Sequence, residues 1–140
     1  MSTLKQLSVM VENKIGRLAK VTGTIGQAGA NILGFSIAEE ENFGILRFLL
    51  DHPAKAYKAL KSDGYTVSCT DVIAISIEDR PGGLHRVAKR CGELGVNIIY
   101  AYAFRHNGNA VLVLKVDDTD NSVKALLADG FQLLDQKDLA

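Results

Sequence analysis

Residues 7–12, LSVMVE, set Leu7, Val9 and Val11 against Ser8, Met10 and Glu12. Residues 73–78, IAISIE, set Ile73, Ile75 and Ile77 against their neighbours in the same way. Side chains alternate across a strand, so a period of two marks strands with one buried face. The period then changes. Leu18, Val21, Ile25 and Ala28 recur at helical spacing, as do Leu84, Val87, Cys91 and Leu94. Gly29 and Gly95 stand where a glycine ends a helix. NILGFSIAEE (31–40), GILRFLLD (44–51), NIIYAYAFRH (97–106) and AVLVLKVD (110–117) read as strands. The bends between them are ENF and HNGN, and Asn107-Gly108 is a strong hairpin signal. A second helix is predicted over 54–62 and again over 121–128, each closed by Asp-Gly. A short last strand falls at 65–69 or 131–134.

The same order of elements occurs twice, and so does the wording. A shift of 66 aligns residues 11–67 with 77–133 without a gap, and 15 of those 57 pairs are identical. They include Glu12/Glu78, Gly16/Gly82, Leu18/Leu84, Gly29/Gly95, Asn31/Asn97, Ile32/Ile98, Asp51/Asp117 and Asp63-Gly64/Asp129-Gly130. This is a duplication. Two stacked repeats are too few for a solenoid, so each copy is a small domain. The expected division is 1–70 and 71–140, with Thr70-Asp71 the sole hint of a break inside YTVSCTDVIAISIE. Each copy reads β-α-β-β-α-β, the ferredoxin-like split βαβ. The fold class is α+β, with antiparallel sheets and both helices on one face. Leu46, Phe48 and Leu50 alternate with Ile45 and Leu49, so both faces of an inner strand are apolar. That surplus predicts an open face or edges buried against another unit.

Composition narrows the classes. The chain has 140 residues, 47% of them hydrophobic, with 16 basic and 16 acidic side chains and zero net charge. A unit of half this length is marginal alone, which favours paired units or a dimer. Neutral charge offers no basic footprint for nucleic acid. The chain contains no apolar run of membrane-spanning length, and MSTLKQLSVMVEN lacks an apolar signal core, which points to a cytoplasmic protein. Cys69 and Cys91 form no CxxC and read as buried, reduced thiols. His52, His85 and His106 show no metal spacing, and neither a metal nor a cofactor is expected. Gly23, Gly26 and Gly29 lie inside a helix rather than opening one, and close helix packing accounts for them.

The second copy then becomes specific. A strand leads into Asp79-Arg80-Pro81-Gly82-Gly83-Leu84, a helix follows, and Gly95-Val96-Asn97-Ile98 opens the next strand. This resembles the ACT domain, a small regulatory unit that binds amino acids. The first copy departs from the pattern: Asn13 stands for the acid, Ile15 for the proline, and Arg17 follows Gly16. The resemblance implies ligand contacts at Asp79, Pro81, Gly82, Gly83, Leu84, Asn97, Ile98, Ile99 and Tyr100, and in the first copy at Asn13, Ile15, Gly16, Arg17, Leu18, Asn31, Ile32 and Leu33. It also implies pairing of units through edge strands and helices. The ligand then sits at the seam between one unit's strand-to-helix loop and another unit's second strand. A homodimer is expected, with a free amino acid as ligand and an amino-acid metabolic enzyme or regulator as partner.

Physical chemistry agrees with that location. Free N–H groups at a helix start favour a carboxylate. Gly16, Gly82 and Gly83 allow close approach to the backbone, and Pro81 presets φ near the helix start. Asp79, Asn97 and Asn31 are candidate acceptors for the ammonium, and Gly82→Val is expected to abolish binding with the fold intact. The loop also reads as a tight turn with Asp79 as a helix cap, and Tyr100, Tyr102 and Phe104 also read as sheet packing. Two other functions compete. One is an interaction scaffold without ligand. The other is an RNA-binding module of the same topology, suggested by the aromatics in NFGILRF (42–48) and opposed by their absence from the second copy. Which amino acid binds, whether both copies bind it, and which partner responds are not written in the sequence.

Overall fold

The computed structural model describes residues 3–139. Lys5–Thr70 pack as one compact unit, and a second begins at Asp71. The first unit contains β1 (Leu4–Glu12), α1 (Arg17–Gln27), β2 (Ile32–Glu40), β3 (Phe43–Leu50), α2 (Pro53–Ser62) and the start of β4 (Thr66–Ile77). The second holds the rest of β4, then α3 (Gly83–Glu93), β5 (Ile98–His106), β6 (Asn109–Val116), α4 (Thr119–Ala128), β7 (Leu133–Leu134) and α5 (Gln136–Leu139). Strand order is β2-β3-β1-β4 in the first unit, and β5-β6-β4 with β7 beside β4 in the second. Each unit is therefore a βαββαβ sheet of the α+β class.

The period-two pattern decides which face is covered. Leu7, Val9, Leu46, Phe48 and Leu50 point into one core with Val21 and Ile25 of α1 and Ala56 and Leu60 of α2. Ile73, Ile75, Leu112, Leu114 and Val116 do so in the second, with Val87 and Cys91 of α3 and Leu126 of α4. Phe48 is fully buried and stacks on Phe35, 6.1 Å between ring centroids. It offers no ring for a base, which takes one of the two aromatics of residues 42–48 from the RNA reading. The helix-facing side of the edge strand is less covered. Phe35 and Ile37 lie opposite Phe48 and Leu46, yet are 49% and 56% exposed. Their counterparts in the second unit are the small Ala101 and Ala103.

Several expectations are corrected. The units divide between Thr70 and Asp71 without any turn there, because β4 runs unbroken from Thr66 to Ile77. Its Thr, Val and Ile residues favour strand, and no Gly or Pro interrupts it. The expected strand at 131–134 shrinks to Leu133–Leu134, because the chain turns at once into α5. Asp135 and Asp138 cap that turn reciprocally: Asp138 Oδ2 accepts from the Asp135 N–H at 2.8 Å, and Asp135 Oδ1 accepts from the Lys137 N–H at 3.0 Å. α2 starts at Pro53, with the ring at its first position. α4 starts at Thr119, because Asp118 caps it by accepting the Asn121 N–H at 3.2 Å. Cys91 is buried, and burial pushes its thiol pKa up. Cys69 is exposed, since Val67 is the last β4 residue in the first core. Leu18 and Leu84 begin the apolar stripes of α1 and α3 but are 37% and 53% exposed.

The glycines of α1 are not explained by close packing. A Cβ at Gly23 or Gly26 would meet nothing within 4 Å. Glycine in a helix interior costs roughly 0.8–1 kcal/mol against alanine. Gly23→Ala and Gly26→Ala are therefore expected to raise the thermal midpoint, each by several degrees in calorimetry.

The helices are held at their ends by different groups in the two units. Thr24 donates its hydroxyl to Asp63 at 2.8 Å, whereas Arg90 donates from Nε to Asp129 at 2.8 Å and from its terminal nitrogen to the other oxygen. The Arg90 guanidinium holds the Asp129 carboxyl below its ordinary value of 3.8. A depressed folded pKa means stability present above the carboxylate range and lost as pH falls through the folded value. Asp129→Asn is expected to melt lower than the parent at pH 7. The two midpoints should converge in acid below the ordinary carboxylate value.

Candidate functional site

Each strand-to-helix loop is built on a left-handed glycine. Gly16 (φ 87°, ψ −4°) precedes α1 and Gly82 (φ 84°, ψ −5°) precedes α3. Neither helix start carries a side-chain cap, so their first N–H groups have no such acceptor. The Arg17 N–H donates to the Lys14 carbonyl at 3.3 Å, and the Gly83 N–H to the Arg80 carbonyl at 2.9 Å. Pro81 lies before this glycine, outside the helix, so it stiffens the loop rather than starting the helix. At the matching place Ile15 stands wholly in solvent. Gly82→Val is not the clean probe expected from the sequence. A β-branched residue at that positive φ is strained, so folding would suffer too.

The second loop is drawn tighter. A Cβ on Gly83 would lie 2.1 Å from the Glu78 carbonyl oxygen, a distance no side chain tolerates. Arg17 occupies the corresponding position of the first loop. Charges close around the second loop as well. Glu78 pairs with Arg80 and, at 3.4 Å, with Arg86. Asp79 does not cap the helix: its carboxylate pairs with Arg105 of β5. Between the loop and the edge strand lies an open cavity of about 330 Å³, lined by Ile77, Leu84, Ala103, Phe104 and Ala110 with Asp79, Arg80 and Arg105.

The strand-start residues lie elsewhere. β1 pairs Glu12 with Phe43, and β2 pairs Glu40 with Phe43 but Ile32 with Leu50. Asn31, Ile32 and Leu33 therefore sit at the opposite end of the sheet from Asn13, Ile15, Gly16, Arg17 and Leu18. At about 3.3 Å per residue the separation is roughly 20 Å. The second unit repeats this: Ile77 and Arg105 both lie opposite Ala110, whereas Ile98 lies opposite Val116. Asn97, Ile98, Ile99 and Tyr100 thus do not meet Asp79, Pro81, Gly82, Gly83 and Leu84 within one unit.

Asn31 and Asn97 have local work. The Asn31 N–H donates to Asp51 Oδ1 at 2.7 Å, and the Asn97 side-chain amide donates to Asp117 Oδ2 at 3.2 Å. In return the Asp51 and Asp117 N–H groups donate to the asparagine carbonyls at 3.1 and 3.4 Å. Each asparagine–aspartate pair fixes the entry into the edge strand beside the exit from its neighbour. The identity of Asp51 and Asp117 in the repeat was the available signal. Arg105, which occupies Asp79, had none, because Glu39 stands at its place in the first copy.

A search of known families and structures gives this geometry its context. The family model described as an ACT domain pair matches residues 2–140. A crystal structure of a Bacteroides thetaiotaomicron protein superposes with a TM-score of 0.91 at 39% identity, covering 99% of this chain and 96% of that one. The ligand-free regulatory subunit of aspartate kinase from Thermus thermophilus has a TM-score of 0.62 at 13% identity, covering 89% and 91%, a likeness of fold. No curated protein sequence matches the chain. Two βαββαβ units, each with a left-handed glycine before its first helix, and a family match over nearly the whole length place this chain in the ACT family, as an ACT domain pair.

Proposed function

We propose that this chain is a non-catalytic, cytoplasmic regulatory protein that binds a free amino acid. The observation that carries this reading is the second unit's loop: an uncapped α3 start behind Gly82-Gly83, opening on a 330 Å³ cavity with apolar and charged walls. The helix N–H groups suit the ligand carboxylate. Asp79 suits its ammonium once Arg105 yields, and Leu84 with Phe104 suits an aliphatic portion. Since Asn97 to Tyr100 stand at the far end of the sheet, their part in a site requires another ACT unit, and a homodimer would supply one. Binding at such a seam would favour one arrangement of units, and an amino-acid metabolic enzyme or regulator that prefers that arrangement would respond. No helix among the described residues is long and apolar enough to cross a membrane.

Thermal unfolding against each of the twenty amino acids tests the reading. A ligand at 100 times its Kd adds about 2.7 kcal/mol, a shift of several degrees. One amino acid, or a related group, is expected to raise the midpoint. Leu84 is half exposed, so Leu84→Asp is expected to leave the unliganded midpoint within about 2 °C while cutting affinity at least about tenfold through charge repulsion. Twenty flat traces would leave the scaffold reading in its place.

A further inference from the structure

We propose that the first unit carries a separate site for an acidic amino acid, in the groove between the start of α1 and the turn from α2 into β4. The groove measures about 400 Å³ and is lined by Met10, Glu12, Arg17, Lys20, Asp63 and Tyr65, among others. It opens on the β4 side of the helix start, whereas the second unit's cavity opens on the edge-strand side. The two are not equivalent places in the repeat, and this proposal does not depend on the second loop.

The groove's charges are unevenly satisfied. Glu12 is held by Lys14 at 2.7 Å, and Lys14 with Arg17 keeps its carboxyl pKa low. Arg17 and Lys20 are three residues apart on α1, so they share one face with Cβ atoms about 5–6 Å apart. Among the described residues, neither side chain has a hydrogen bond or ion pair. Asp63 accepts the Thr24 hydroxyl on Oδ2, which leaves Oδ1 open. Two cations without a hydrogen-bonded partner, Arg17 near Glu12 and Lys20, therefore line the groove beside one half-used carboxylate. A ligand with two carboxylates and one ammonium matches that tally. The Arg17 fork takes one carboxylate in two parallel hydrogen bonds, Lys20 takes the other, and Asp63 takes the ammonium. A phosphate fits worse, because Glu12 and Asp63 would repel it.

The second unit serves as the internal control. At the positions of Arg17, Lys20 and Asp63 it carries Gly83, Arg86 and Asp129. Gly83 has no side chain, Arg86 reaches Glu78 at 3.4 Å, and Asp129 is gripped by Arg90. The duplicated scaffold has thus kept the receptor charges unpaired in one copy and neutralised them in the other.

Titration calorimetry on the full chain tests this, with L-glutamate, L-aspartate, succinate, L-alanine and inorganic phosphate as probes. The acidic amino acids are expected to bind once per chain, and the other three at least about tenfold more weakly. Arg17→Ala should cost at least about tenfold in affinity. Asp63→Asn should erase the preference over succinate. Leu84→Asp should leave this binding unchanged. The proposal is overturned if the acidic amino acids give no heat, if succinate or phosphate binds as well, or if Arg17→Ala binds like the parent. Loss of binding in Leu84→Asp would overturn it too, by moving the event to the second unit's loop.

Discussion

The two halves of this chain separate at one close approach, that of the Glu78 carbonyl to the α carbon of Gly83. A Cβ there would lie 2.1 Å from the oxygen, so only glycine lets the second loop close on itself. The loop's charges pair at the surface, Glu78 with Arg80 and Arg86, and Asp79 with Arg105 of the edge strand. What remains outside is a cavity with an apolar wall. In the first copy Arg17 takes the same position, and a larger groove lies beside β4, lined by Arg17 and Lys20 among others.

The rest of the fold tolerates that divergence because it hangs on other contacts. Each sheet buries one face under two helices, the first of which starts after a left-handed glycine. Their far ends are tied across to the second helix by Thr24–Asp63 or Arg90–Asp129. Both ties join the same points, but only the arginine neutralises its aspartate. The edges diverge likewise, with Phe35 and Ile37 on one and Ala101 and Ala103 on the other. A duplicated scaffold can thus vary its charges and its edges without disturbing the alternation that makes its cores.

Most of the architecture was legible in sequence. Period-two runs marked β1, β3 and the second half of β4, helical spacing marked α1 and α3, and the 66-residue shift marked the two copies. The errors have local causes. The division at Thr70-Asp71 has no turn to mark it, because β-branched residues continue on both sides of it. α5 was missed because a four-residue helix has no periodicity to read, only the Asp135–Asp138 caps.

The candidate site divides along the same line. Sequence alone determined which residues have chemistry at a helix start, because Gly16 and Gly82 follow from the order strand, glycine, helix, and such a helix start exposes N–H groups wherever it occurs. Sequence also determined the ACT resemblance, through spacing that local geometry requires. Only the tertiary structure decided which of those residues meet. Parallel placement of β1 and β2 about β3, and of β4 and β5 about β6, sends Asn31 and Asn97 to the far end from the loops, where they hold Asp51 and Asp117. It likewise brought Arg105 to Asp79 and Asp63 beside Lys20, pairs 26 and 43 positions apart in the chain. Neighbour spacing carries no record of such distances, because the strand register that sets them is a property of the folded sheet.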